Sequence, residues 1–181
     1  KWEWKFSPDT KDSSEAVALF KQDGTDVRGT LLTESGDYRF LHGSLNNDSL
    51  FLSYFDGAFA YLFKASVKNN TMNGVFYSGH HWQQPWQAVV NENAELPDPF
   101  KLTFLKSDTT PFSFSALRLD STVFSFPNKE LKGRVVIVEM MGTWCPNCMD
   151  ETAFLSDYYA KIKNQDLTII GLAFEKTSLT L

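Results

Sequence analysis

Cys145 and Cys148, separated by Pro146 and Asn147, are the two cysteines of the chain and its clearest chemical signal. A thiolate attacks a disulfide sulfur to form a mixed disulfide, and a second thiol within reach can then close a ring and release the reduced partner. Two spacer residues make that closure easy, so the pair reads as a dithiol redox site. Zinc would need about four ligands, and the three histidines lie far away in sequence. A half zinc site or a pair of buried structural thiols is the plainer alternative. No metal and no cofactor is expected.

The flanking residues say how the cysteines are held. Val135 to Val138 is an uninterrupted β-branched run, as in a strand buried on both faces of a parallel sheet. Gly142 and Thr143 end it, and Pro146 suits the first turn of a helix, where its missing N–H costs nothing. Cys145 is thereby expected at a helix N-terminus, where unpaired N–H groups and the helix dipole favour thiolate over thiol. It is the expected nucleophile and Cys148 the resolving thiol. Cys148, Thr152, Leu155, Tyr159 and Ile162 recur at helical spacing and form one stripe toward the sheet, with the helix expected to reach about Lys163 and to stop at Asn164. Leu167 to Phe174 reads as a second buried strand, completing a βαβ unit.

With Trp144-Cys145-Pro146-Asn147-Cys148 set between strand and helix, residues 135–151 resemble the thioredoxin superfamily. The upstream run Phe112 to Phe126, followed by Leu131-Lys132-Gly133-Arg134, resembles the hairpin and lead-in of the TlpA/ResA-like thiol-disulfide reductases of bacterial envelopes. The resemblance covers about residues 110–175. It implies a thioredoxin fold, reduction of protein disulfides with electrons from an upstream donor, and a periplasmic or cell-envelope location. Such proteins usually act from a membrane or lipid anchor, which here would belong to the precursor. Trp144, Pro146 and Asn147 border the cysteines and would contact the substrate. Glu139 falls where thioredoxins carry a buried acid, and Glu151 where the ResA-like branch carries a glutamate one turn after the second cysteine. The residues supply their own reason for Glu139: a carboxylate at the end of an apolar strand is costly unless protonated or hydrogen-bonded, and so it can exchange protons. Glu151 competes for the same role. The family places a cis-proline loop opposite its cysteines, and no proline follows Pro146. The expectation is a thioredoxin-like portion truncated at the C-terminus.

Residues 1 to about 106 have another rhythm. Short period-2 runs separated by turn residues, at Asp23-Gly24, Ser35-Gly36-Asp37, Asn46-Asn47-Asp48, Asp56-Gly57 and Asn69-Asn70, indicate an antiparallel β meander without a helix. The clearest strand is Phe59 to Val67. Trp2 and Trp4 fall on an N-terminal strand, and Trp82 and Trp86 are expected to plug a core rather than line a ligand groove. If extended, His80 and His81 point to opposite faces and cannot share a metal ion. Lys101 to Lys106 reads as a short strand, and Ser107 to Pro111 as the domain boundary.

The expected architecture is therefore an α+β chain of two domains, an antiparallel β domain over 1–109 and a partial thioredoxin-like α/β fold over 110–181. A hydrophobic content of 43%, with 15% aromatic residues, suffices for packed cores. A net charge of −5 with scattered acids gives no reason to expect nucleic acid as a partner. No run approaches the roughly 18 apolar residues of a membrane span. Besides disulfide reduction, two other functions fit in outline. One is peroxide reduction by a peroxiredoxin relative, although Gly142 stands where that chemistry is associated with a Thr. The other is a ligand-binding β module with an incidental redox unit.

Overall fold

The structure, a computed structural model, describes residues 1–57, 59–105, 110–162 and 166–175. It divides into two compact units, Lys1–Leu102 and Thr103–Leu181.

The first unit is built from β1 (Trp2–Phe6), β2 (Ser14–Asp23), β3 (Asp26–Thr33), β4 (Gly36–Asp37), β5 (Leu41–Asn46), β6 (Ser49–Phe55), β7 (Ala60–Lys68), β8 (Thr71–Ser78) and β9 (Trp82–Val90), followed by a one-turn helix, α1 (Pro99–Leu102). The sheet order is β2-β1-β9-β8-β7-β6-β5-β3-β4, and β2 pairs again with β3. Leaving aside β4 at the end, the other eight of these nine strands close into an antiparallel barrel. The expected meander is present, and its N-terminal strand seals the gap between β9 and β2. Closure removes the exposed edges that an open sheet would carry.

Alternation fills the interior. Trp4, Phe6, Leu31, Leu41, Leu52, Phe63 and Trp86 are fully buried, while Glu3 and Lys5 on either side of Trp4 face out. Trp4 lies in register between Ala16 on β2 and Ala88 on β9. Its indole stacks on that of Trp86, with ring centroids 3.6 Å apart. Small residues beside large ones make the space. Gly74 lies opposite Trp86, and a Cβ there would come within 2.5 Å of Trp86 Cζ2 and 2.3 Å of the Lys64 carbonyl oxygen. Because one of those neighbours is backbone, Gly74→Ala should destabilise the barrel by about 1–3 kcal/mol, read as a lower thermal midpoint.

Trp86 is a core residue as expected, whereas Trp82 is 55% exposed. His80 and His81 lie in the turn between β8 and β9 rather than on an extended strand, with their rings edge-to-face at 4.9 Å. Where a strand was expected from Lys101, the chain forms α1. Asp98 caps it by accepting the Phe100 N–H at 3.0 Å, and Pro99 takes the first helical position. Of the expected boundary, Ser107, Asp108 and Thr109 lie outside the described residues, as does Lys106.

In the second unit, β10 (Phe114–Leu117) and β11 (Val123–Phe126) form an antiparallel hairpin. Phe114 stacks on Phe126 at 5.6 Å. A single turn of 3-10 helix over Lys129–Leu131, capped by Asn128, leads into β12 (Val135–Met141), α2 (Pro146–Ile162) and β13 (Leu167–Ala173). The strands β12 and β13 pair in parallel, from Val135 opposite Leu167 to Met141 opposite Ala173. The expected helix end at Lys163 and Asn164 lies outside the described residues.

The expected fold class is corrected by these findings. The described chain is predominantly β and is dominated by the closed barrel. Only α1 and α2 are α-helical among the described residues, and the parallel sheet has two strands. An α+β chain with a thioredoxin-like fold would need a wider sheet and helices on both of its faces. Val135 is 65% exposed and Val136 to Val138 are only half-buried, so the β-branched run is not covered on both sides. No residue of α2 is fully buried. Tyr159 and Ile162, at the far end of its stripe, are exposed, and Phe154 and Tyr158 stack on its surface.

Candidate active site

The β12 strand ends in a tight turn over Gly142 to Cys145. The Cys145 N–H donates to the Gly142 carbonyl at 3.0 Å, and α2 begins at Pro146. Gly142 is buried, and a Cβ on it would meet Trp144 Nε1 at 2.5 Å. The absence of a side chain lets the Trp144 indole fold back over the turn, where its N–H donates to the Phe174 carbonyl at 2.9 Å. The ring remains 46% exposed. Pro146 and Asn147 are half-buried.

Cys145 therefore occupies the residue before the first helical position, and a disulfide joins it to Cys148 with 5.3 Å between the Cα atoms. The Cys148 backbone N–H donates to Cys145 Sγ at 3.3 Å. The sulfur thus takes the place of a capping oxygen, accepting one of the four N–H groups left unpaired at a helix start. After reduction the same N–H and the helix dipole would stabilise negative charge on Cys145. Both sulfur-bearing residues are half-buried.

Glu139 points beneath the helix and is only 8% exposed. Its Oε1 lies 2.8 Å from the hydroxyl oxygen of Thr152, which is also 2.8 Å from the Cys148 carbonyl oxygen. The Thr152 hydroxyl has one hydrogen, so it can donate to only one of the two at a time. This places Glu139 under the turn of helix that follows Cys148. Glu151, the other candidate acid, is exposed on α2. Sequence reasoning placed Thr152 on the sheet-facing stripe but not as the partner of Glu139. Its position four residues after Cys148, where a threonine hydroxyl reaches back to the preceding turn, was the available signal. Glu175 was missed entirely: its carboxylate accepts the Thr143 backbone N–H and the Thr143 hydroxyl, each at 2.9 Å. No cluster of metal-ligating side chains occurs among the described residues.

Part of the chain is similar to proteins named thiol-disulfide oxidoreductase ResA. It is 34% identical over 53 residues to those of Bacillus thuringiensis (strain Al Hakam) and Bacillus anthracis. To that of Bacillus thuringiensis subsp. konkukian it is 32% identical over 53 residues. The matched stretch is 29% of this chain and 31% of each relative, so the chain spans about a third of the length of the curated relatives it matches. No family model matches the chain, and no solved structure matches it. The partial similarity supports a thioredoxin-like relationship and, with the Cys145–Cys148 disulfide, a thiol-disulfide oxidoreductase.

Proposed function

We propose that the chain reduces protein disulfides through Cys145 and Cys148. The observation that carries this reading is the position of Cys145 at the start of α2, with its sulfur accepting the Cys148 N–H and bonded to the Cys148 sulfur. In the reduced form, the Cys145 thiolate attacks one sulfur of a substrate disulfide, forms a mixed disulfide and expels the first substrate thiolate. Cys148 then loses its proton and attacks Cys145 Sγ, which re-forms the Cys145–Cys148 disulfide and expels the second thiolate. Two electrons pass to the substrate, and a dithiol donor upstream must return them. Trp144, Pro146 and Asn147 surround the nucleophile and are the surface a substrate chain would meet. Activity outside the cytoplasm, in a bacterial cell envelope, is part of the same proposal and is supported by the partial similarity to ResA. No helix among the described residues is long and apolar enough to cross a membrane.

Glu139 is assigned the proton of Cys148. It is buried under the same helical turn and tied to it through Thr152, and a positioned base contributes about 10²- to 10⁴-fold to such a step. Glu139→Gln keeps a partner for the Thr152 hydroxyl and removes the base. Stopped-flow measurement of the two half-reactions should therefore show resolution of the mixed disulfide slowed about tenfold or more, with its formation nearly unchanged. An unchanged resolution rate would transfer the role to Glu151 or to water.

A further inference from the structure

Four hydrogen bonds tie the turn before Cys145 to the residues that follow β13. The Phe174 N–H donates to the Met141 carbonyl at 2.8 Å and the Trp144 indole donates to the Phe174 carbonyl at 2.9 Å. The Glu175 carboxylate takes both the N–H and the hydroxyl of Thr143 at 2.9 Å. The bonded residues Met141, Thr143 and Trp144 span the link between β12 and the nucleophile, and the parallel register, with Met141 opposite Ala173, brings the C-terminal ends of the two strands together. Among the described residues, the charged groups on the near ends of the elements meeting here are acidic: Glu139 on β12, Asp150 and Glu151 early in α2, and Glu175 after β13. The cations Arg134 and Lys161 stand at the opposite ends of β12 and α2. Glu175 is bonded to the turn itself, at Thr143.

We infer that Glu175 is a positioning residue for the dithiol, holding the turn that sets Cys145 at the helix start and placing a fixed negative charge beside it. Thr143 is two residues from Cys145, so the charge lies within about 10 Å of the sulfur. A carboxylate at that range disfavours a thiolate, and because only the reduced pair carries one, the charge shifts the balance toward the disulfide and makes the reduced pair a stronger reductant. The inference deepens the proposed disulfide exchange and rests on it for its biological meaning, but its readouts need no protein substrate.

Glu175→Gln separates charge from geometry, since the amide can accept the Thr143 N–H and donate to the Thr143 hydroxyl oxygen. In the 181-residue chain, equilibration with reduced and oxidised glutathione should show Glu175→Gln moved about three- to tenfold toward the dithiol. In a Cys148→Ser background, the absorbance midpoint of the Cys145 thiolate should fall by about half to one pH unit. Glu175→Ala should shift both the same way and also slow mixed-disulfide formation, because the turn is released. Thr143→Val, which keeps the charge and the backbone bond, should leave the equilibrium within about twofold. The inference is overturned if Glu175→Gln stays within twofold of the parent in both readouts, or moves toward the disulfide. Should the glutathione equilibrium shift as expected while the parent reduces no protein disulfide, the clamp stands and the proposed substrate class is wrong.

Discussion

Cys148→Ser should accumulate a mixed disulfide with its protein substrate, stable on a non-reducing gel, while Cys145→Ser should accumulate none. The difference follows from where the two sulfurs sit. Cys145 precedes the first residue of α2 and accepts a helix N–H, so it is the sulfur whose anion the helix start favours. Cys148 lies one turn inside the helix and serves to attack Cys145 once that sulfur is bonded to substrate. Removing the resolving thiol leaves the first step intact and blocks the second. Removing the nucleophile should lower turnover on the order of 10³-fold or more, because Cys148, the one cysteine then left, lies a turn inside the helix and has no second thiol to resolve a mixed disulfide. Equal trapping by both variants would remove the assigned roles.

The largest expected loss of stability is at Trp4. Its indole is fully buried, stacked on Trp86 and edge-on to Phe63 at 5.8 Å, and Ala16 and Ala88 beside it are too small to fill its place. Trp4→Ala should cost about 3–5 kcal/mol through lost burial and the cavity left behind. Trp4→Phe should cost much less. The Trp4 indole N–H is buried with no hydrogen-bond partner among the described residues, and phenylalanine keeps an aromatic ring of smaller size while discarding that unmet donor. Chemical denaturation followed by the barrel's far-ultraviolet signal measures both. Similar losses for the two variants would mean that shape at this site outweighs the unsatisfied donor.

The parts of this molecule that are local in sequence were legible in it. Asn69 and Asn70 both take positive φ, 47° and 63°, as a tight turn between β7 and β8 requires, and Phe63 with its period-2 neighbours faces the core of the barrel. The Gly142-to-Pro146 passage likewise encodes strand, turn and helix start within a few residues. Closure of the barrel was not legible, because nothing near Trp4 announces that β1 will pair with a strand more than 80 residues later. The fold class failed for a related reason. A local βαβ signature was extended to a whole α/β fold, whereas one helix and two parallel strands carry it here. At Lys101 the signal was present and misread, since Asp98-Pro99 is a helix start of the ordinary kind. Glu175 was invisible because the parallel register of β12 and β13, rather than any spacing from Cys145, brings it to Thr143.

The central claim is that the Cys145–Cys148 pair passes two electrons to a protein disulfide. The most direct measurement mixes the reduced 181-residue chain, freed of small thiols, with a disulfide-bonded protein such as insulin and counts thiols on both partners by alkylation and mass spectrometry. The account requires that each Cys145–Cys148 disulfide formed be matched by two new thiols on the substrate, and that Cys145→Ser form neither. Persistence of the reduced pair beside an intact substrate disulfide, while dithiothreitol at equal thiol concentration reduces it, would contradict the account.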